Sequence, residues 1–180
     1  THFYANNRQT VKGEQALLCS AIDYRGDAPY AVKHGNFNGR CLPEILDQNG
    51  FETYWYHGYT KEFFNRKEYH HSIGFEHIYA KEEFIADGYD ENQDIGWGVP
   101  DKQLFSTVLN KLENHPKDKP FFAQVLTLTN NQPFDWNYGE LNVPDNDYSE
   151  ADPIYSNYQR GINYTDAALG EFWDGFIKSS

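Results

Sequence analysis

A segment near the start of the chain combines a hydroxyl group with two cations. Thr10 lies two residues after Arg8 and two residues before Lys12, just ahead of a predicted helix. The start of a helix presents unpaired backbone N–H groups and the positive end of the helix dipole, which attract phosphate or sulfate. A threonine hydroxyl becomes a nucleophile once a base or a metal removes its proton. Thr10 is therefore a candidate catalytic residue, and a plain helix cap is the alternative that fits the same position.

A second segment that could bind an anion runs from His57 to Arg66. Arg66 directly follows two aromatic residues and Asn65. A guanidinium in such a setting can bind an oxyanion through two parallel hydrogen bonds. A surface arginine at the end of a helix fits the spacing equally well, so both interpretations stay open on spacing alone.

A third candidate lies directly after an apolar run, where Thr129 is followed by Asn130, Asn131 and Gln132. Polar amides at the end of a buried strand can reach a ligand, or they can cap the turn that follows. Nothing in the spacing separates these two roles.

Three histidines, His70, His71 and His77, raise the question of a metal site. Adjacent residues on a helix point about 100° apart, because a turn contains about 3.6 residues. One helix therefore cannot direct both His70 and His71 at one ion, and ordinary histidines of a helix surface are favoured over metal ligands.

The composition limits the classes of partner and of fold. The 180 residues carry a net charge of −12, which repels the nucleic-acid backbone, although residues 1–41 hold more cations than anions. No segment approaches the roughly 18 apolar residues of a membrane span. Two cysteines, Cys19 and Cys41, are too few for a disulfide scaffold. A single disulfide and two buried thiols both remain open on composition.

The elements that must position these residues alternate between helix and strand. The predicted helices cover residues 14–20, 42–48, 60–75, 100–115 and the stretch from 155 onward, and the predicted strands cover residues 51–56 and 121–129. Residues 21–40, 81–96 and 130–153 are predicted to be irregular. This alternation predicts an α/β domain with a mostly parallel sheet flanked by helices, in which functional residues lie after the carboxyl ends of the strands.

Several short motifs, taken in order along the chain, resemble the sulfatase-like branch of the alkaline phosphatase superfamily. Within that branch the chain is most similar to the lipoteichoic acid synthase and phosphoglycerol transferase group. The matching segments are residues 7–14, 41–46, 51–58, 63–66, 74–75, 96–101, 126–130 and 164–170. The most distinctive of them is Gly-Trp-Gly-Val-Pro-Asp at residues 96–101.

The resemblance implies an enzyme of the extracytoplasmic face of a bacterial membrane, at the periplasm or cell surface. In such enzymes a threonine, here Thr10, is both metal ligand and nucleophile and becomes a phospho-threonine. The phospho group comes from a phospholipid head group and passes to a hydroxyl acceptor on a glycan or polymer, with a divalent metal, usually manganese, as cofactor. Arg66 matches the arginine that binds the phosphate, and Phe64 matches an aromatic residue that lines the pocket.

The chain departs from the family pattern in three ways. Asn131 replaces a substrate-contacting histidine, and an amide cannot shuttle a proton. Tyr59 stands where relatives carry an acid. The remaining metal ligands fall outside residues 1–180, so we expect the chain to be a middle segment of a longer, membrane-anchored catalytic domain. Alone, it should neither hold the metal tightly nor be active. An exported location also favours a Cys19–Cys41 disulfide.

Two alternatives remain. The first is a sulfuric or phosphoric ester hydrolase of the same superfamily. A true sulfatase is disfavoured because the segment around Thr10 lacks the Cys/Ser-x-Pro-x-Arg pattern. The second is a non-catalytic binding domain that keeps the fold, which Asn131 favours slightly.

Overall fold

The structure is a computed structural model, which describes residues 2, 4, 5, 7–23, 34, 35, 37–137 and 153–179. It divides into two compact units. The first unit comprises Thr1–Trp55, Lys61–Tyr79 and Lys117–Gln124, and the second comprises Tyr56–Thr60, Ala80–Pro116 and Val125–Ser180. Most of the predicted loop over residues 21–40, and residues 138–152 of the later loop, lie outside the described residues.

The elements follow one another in the predicted alternation. The helices are α1 (Thr10–Cys19), α2 (Leu42–Asp47), α3 (Arg66–Ser72), α4 (Lys81–Ala86), α5 (Asp101–Glu113) and α6 (Pro153–Ser179), with 3₁₀ turns at Phe63–Asn65 and Glu91–Gln93. The strands are β1 (Glu52–His57), β2 (His77–Tyr79) and β3 (Phe121–Leu126). They form a parallel three-stranded sheet in the order β2-β1-β3. This confirms the predicted α/β class.

The helix α1 begins four residues earlier than predicted, at Thr10 rather than at residue 14. Its buried positions include Val11, Glu14, Gln15 and Leu18, which is a helical spacing. Two of these four residues are polar, so a search for apolar periodicity misses the first turn. The expectation that the helix begins only after Gly13 was wrong because the helix continues through that glycine.

Three other elements differ from the sequence expectation. The predicted helix over 60–75 contains a break, since Phe64 and Asn65 adopt left-handed backbone angles before α3 starts. The short strand β2 was not predicted. The helix α4 lies in a stretch predicted to be irregular, and the Glu83 carboxylate stabilises its start by accepting a hydrogen bond from the backbone N–H of Ala80 at 2.9 Å.

Each unit has its own apolar core. In the first unit, Trp55, Tyr69, Ile73 and Phe75 are buried. In the second, α5 and α6 pack together, with the rings of Phe105 and Phe172 5.4 Å apart. Among the residues that the structure describes, no helix combines the length and the apolar character needed to cross a membrane.

Candidate active site

Thr10 is the first helical residue of α1, and its side chain is exposed. The residue at the cap position is Gln9, whose backbone is extended and whose side chain makes no capping hydrogen bond. The interpretation of Thr10 as a helix cap is therefore wrong. The hydroxyl lies instead at the N-terminal end of the helix, where an anion is stabilised by the helix dipole.

The helix that begins at Thr10 carries a buried carboxylate one turn later, at Glu14. Its Oε2 accepts a hydrogen bond from Arg66 Nη1 at 3.0 Å. Its Oε1 accepts from Trp55 Nε1 at 3.1 Å, from His70 Nε2 at 3.2 Å and from Gln124 Nε2 at 3.2 Å. One carboxylate thus joins α1 to β1, to β3 and to α3.

The surroundings of Glu14 keep its carboxylate ionised. Burial on its own raises the pKa of Glu14, but the hydrogen bond from His70 and the positive charges of His70 and Arg66 outweigh burial and lower the pKa to about 2. The other ring nitrogen of His70, Nδ1, donates to the backbone carbonyl of Arg66 at 2.7 Å. Both ring nitrogens of His70 therefore face acceptors.

Arg66 is buried, with 3% of its surface exposed, so it is not a surface arginine at a helix end. Besides its ion pair with Glu14, its guanidinium carbon lies 5.5 Å from the centre of the Trp55 ring. Its Nε is buried and has no hydrogen-bond partner among the residues that the structure describes. The guanidinium is thus fixed on one side and has a free donor on another.

Phe64, two residues before Arg66, combines exposure with an unusual backbone. It is 45% exposed, and its φ of 55° lies in the left-handed region. A bulky side chain rarely adopts this conformation, and such strain tends to occur at ligand sites. The ring of Phe63 lies 4.3 Å away, centre to centre. Phe64 is therefore an exposed aromatic side chain next to the buried arginine.

Asn131 belongs to the second unit, whereas Thr10, Phe64 and Arg66 all belong to the first. Asn131 is exposed, and its Nδ2 donates to the carbonyl of Leu128 at 2.7 Å. The side chain thus has the local turn contact that the capping interpretation required, and it is exposed.

Asp101, the last residue of the Gly-Trp-Gly-Val-Pro-Asp motif, holds the loop that leads to Asn131. Its Oδ1 accepts hydrogen bonds from the backbone N–H groups of Leu128 and Thr129 at 2.7 and 3.1 Å. Its Oδ2 accepts from the Thr165 hydroxyl at 2.8 Å, and its own N–H donates to Thr129 Oγ1 at 2.8 Å. Asp101 is fully buried, so this network fixes the backbone after β3.

The histidines considered as metal ligands do not converge. His70 lies in the Glu14 cluster, His71 is exposed and bonds the carbonyl of Phe75, and His77 stacks on Tyr54 with 4.7 Å between ring centres. Over the described part of the chain, no group of three or more His, Cys, Asp or Glu side chains could hold a metal ion. The residues present do not by themselves supply a metal-ligand set.

A disulfide joins Cys19, the last residue of α1, to Cys41, the residue before α2, with a sulfur–sulfur distance of 2.11 Å. The helix that begins at Thr10 is therefore tied at its far end as well as at Glu14.

The sequence analysis missed Glu14 and Asp101, the two carboxylates that organise these sites. Both lie inside segments that carried the family resemblance. A charged residue at a helical spacing from apolar neighbours was the available signal for Glu14, because a carboxylate on a buried face must find partners.

Comparison with known proteins places the chain in one family. The family model described as Sulfatase matches residues 1–179. Lipoteichoic acid synthase 1 of Bacillus subtilis (strain 168) is 33% identical over 143 residues, which are 79% of this chain and 21% of that protein. The chain spans about a fifth of the length of the curated relatives it matches.

Two solved structures share the fold. The lipoteichoic acid synthase LtaP from Listeria monocytogenes superposes with a TM-score of 0.82 at 24% identity, covering 96% of this chain and 41% of that one. A protein in the alkaline phosphatase superfamily from Vibrio parahaemolyticus gives a TM-score of 0.75 at 25% identity, covering 98% and 41% of the two chains.

Proposed function

Since the chain belongs to the sulfatase family, we propose that it is part of the catalytic domain of a phosphoglycerol transferase that works through a phospho-threonine. Residues 1–180 would be a middle segment of that domain. The observation that supports this function best is the buried Arg66, which is held by a carboxylate on the same helix that begins at Thr10.

The reaction has two displacements at one phosphorus atom. In the first, the Thr10 hydroxyl loses its proton to solvent, and its oxygen bonds to the phosphorus of a phospholipid head group. The bond from that phosphorus to the diacylglycerol oxygen breaks, and the released oxygen takes up a proton. In the second, an acceptor hydroxyl on a glycan or polymer loses its proton and its oxygen bonds to the same phosphorus. The bond from phosphorus to the Thr10 oxygen breaks, and that oxygen takes up a proton.

The chain's own residues bind and stabilise the anion in both steps. The N-terminal end of α1 favours negative charge beside Thr10. Arg66 would bind a phosphoryl oxygen through its free Nε–H, and the exposed ring of Phe64 would line the head-group pocket. Asn131 is kept as a substrate contact on the family correspondence alone, as an amide that binds an oxygen without moving a proton.

Sulfatase-family enzymes are metal-dependent in general. The described residues offer the Thr10 hydroxyl but no cluster of His, Cys, Asp or Glu for an ion. We propose that a divalent ion, manganese in this group, takes its other ligands from elsewhere in the full-length protein. The Cys19–Cys41 disulfide supports an extracytoplasmic location for a membrane-anchored parent, because such bonds persist in oxidising compartments.

The test compares Thr10→Ala with wild type in the full-length protein, supplied with manganese and phosphatidylglycerol. We expect Thr10→Ala to abolish both turnover and the covalent phospho-enzyme detected by mass spectrometry. Its melting midpoint should stay within a few degrees of wild type. Thr107→Ala, a threonine of α5 in the second unit, is the matched control and should keep full activity. Wild-type turnover by Thr10→Ala would disprove the nucleophile assignment.

Two other outcomes would select the alternatives. Release of glycerol phosphate to water in the presence of an acceptor would indicate a phosphoric ester hydrolase. Binding of the lipid head group with neither turnover nor a phospho-enzyme in the wild-type protein would indicate a non-catalytic binding domain.

A further inference from the structure

We infer that Glu14 is a positioning residue that fixes the guanidinium of Arg66 and leaves its Nε–H free for the phosphate. This inference rests on the proposed function, in which Arg66 binds that phosphate. Glu14 itself would not touch the substrate, because its two carboxylate oxygens already accept four hydrogen bonds from this chain.

The first support is the way in which the pair is held. Glu14 and Arg66 are 52 residues apart in the chain, and both side chains are at most 5% exposed. The carboxylate cannot rotate to follow the guanidinium, since Trp55, His70 and Gln124 all bind its Oε1. The position of Arg66 Nη1 is therefore determined by residues of α1, α3, β1 and β3 together.

The second support is the donor that remains unsatisfied. Native structures rarely leave a buried donor without an acceptor, and exceptions occur where a ligand completes the bonding. Arg66 Nε is such a donor among the described residues. If Glu14 were only a counter-ion, its carboxylate could bind the guanidinium edge formed by Nε and Nη2 and so satisfy Nε. Instead the contact uses Nη1 and Oε2 alone.

The third support is the location of Glu14 on α1. It lies four residues after Thr10, so one helical turn separates the proposed nucleophile from the residue that holds Arg66. A rigid helix therefore sets the position of the arginine relative to the threonine, which is the kind of orientation that speeds group transfer.

The experiment is a double-substitution cycle in the full-length protein, with kcat/KM for phosphatidylglycerol and inhibition by glycerol phosphate as readouts. We expect Glu14→Gln to lower kcat/KM by roughly ten- to a hundredfold and to weaken inhibition by glycerol phosphate. In an Arg66→Lys background, Glu14→Gln should change kcat/KM by less than about twofold, because the group that it positions is already gone.

The matched control is Thr53→Val in the same unit. Thr53 is buried, and its hydroxyl donates to the carbonyl of Gly74 at 2.9 Å and accepts from the N–H of Glu76 at 3.0 Å, so the substitution breaks buried hydrogen bonds that involve neither Glu14 nor Arg66. We expect it to lower stability without changing kcat/KM. If Glu14→Gln does not fold, Glu14→Asp keeps the charge, withdraws it by one methylene, and serves in the same cycle.

The outcomes are distinct. If the losses from Glu14→Gln and Arg66→Lys multiply, or if Thr53→Val lowers kcat/KM as much, Glu14 has only a general structural role and the inference is overturned. If Arg66→Lys keeps the wild-type kcat/KM, the phosphate role of Arg66 and this inference both fail. The nucleophile assignment stands or falls separately, by the phospho-enzyme test on Thr10.

Discussion

The ionised state of Glu14 should make the stability of the protein depend on pH in a predictable way. The pKa of this buried carboxyl is lowered from 4.5 to about 2 in the folded protein. A shift of one unit corresponds to about 1.4 kcal/mol, so the ionised carboxylate contributes on the order of 3 kcal/mol to the free energy of unfolding. Because the folded pKa is depressed, this contribution is present above pH 4.5 and is lost as the pH falls toward 2.

The perturbation that isolates this contribution is Glu14→Gln. The amide keeps the shape of the side chain but leaves the guanidinium of Arg66 buried without its counter-ion. Removing one partner of a buried ion pair costs about 3–5 kcal/mol, which sets the expected stability loss near neutral pH. The amide does not titrate, so the variant lacks the acid-dependent loss.

The assay is urea unfolding of the purified protein, followed by tryptophan fluorescence, between pH 5.5 and pH 3. The stability difference between wild type and Glu14→Gln should be nearly constant down to pH 5. It should then shrink by on the order of 2 kcal/mol by pH 3.

Thr53→Val is again the control, because its loss of a neutral hydrogen bond should not vary over the same pH range. A difference between wild type and Glu14→Gln that stays constant to pH 3 would refute the reasoning. It would mean that the pKa of Glu14 is the same in the folded and unfolded proteins. The buried ion pair between Glu14 and Arg66 would then not exist as described.

Three further predictions concern stability. Asp101→Ala leaves two backbone N–H groups and a threonine hydroxyl without their acceptor, so it should lower the free energy of unfolding in urea by about 3 kcal/mol or more. A loss under about 0.5 kcal/mol would contradict the network. The Cys19–Cys41 disulfide closes a loop with a sequence separation of 22, so replacing both residues with serine should lower the free energy of unfolding by about 3 kcal/mol. Two titratable thiols in the unreduced, unfolded protein would disprove the bond. Gly74→Ala should destabilise the protein by more than about 1 kcal/mol, because φ is +101° and a Cβ would lie 2.3 Å from the backbone nitrogen of Glu44. A thermal melting midpoint equal to that of wild type would contradict this packing.

The sequence was sufficient for the elements whose apolar pattern is regular. Helix α5, helix α6 and strands β1 and β3 were all predicted within a few residues, because each shows a helical or strand pattern of apolar residues. The family resemblance drawn from the order of the motifs is confirmed by the match over residues 1–179. The strand β2 escaped prediction because three residues are too few to show a period.

The sequence was not sufficient for the partners of the candidate site residues. The sequence around Arg66 fits both an anion-binding arginine and a surface arginine. Only the fold shows that Arg66 is buried beside Glu14. That pairing joins residues 52 positions apart, and the contact from Gln124 to Glu14 spans 110 positions. No local pattern encodes such contacts, since they depend on how helices and strands are arranged in space. The start of α1 was not predicted because polar residues, Glu14 and Gln15, occupy part of its buried face and interrupt the apolar pattern.

Each unit uses one buried carboxylate to fix a segment that the proposed chemistry needs. In the first unit, Glu14 accepts from four side chains and holds Arg66. In the second, Asp101 accepts from two backbone N–H groups and a hydroxyl and holds the loop that precedes Asn131. Glu14 thus accepts four hydrogen bonds from protein donors and Asp101 accepts three, so both carboxylates have structural roles. We therefore expect a substitution at Asn131 to leave intact the backbone that Asp101 holds, because Asp101 bonds Leu128 and Thr129 rather than Asn131.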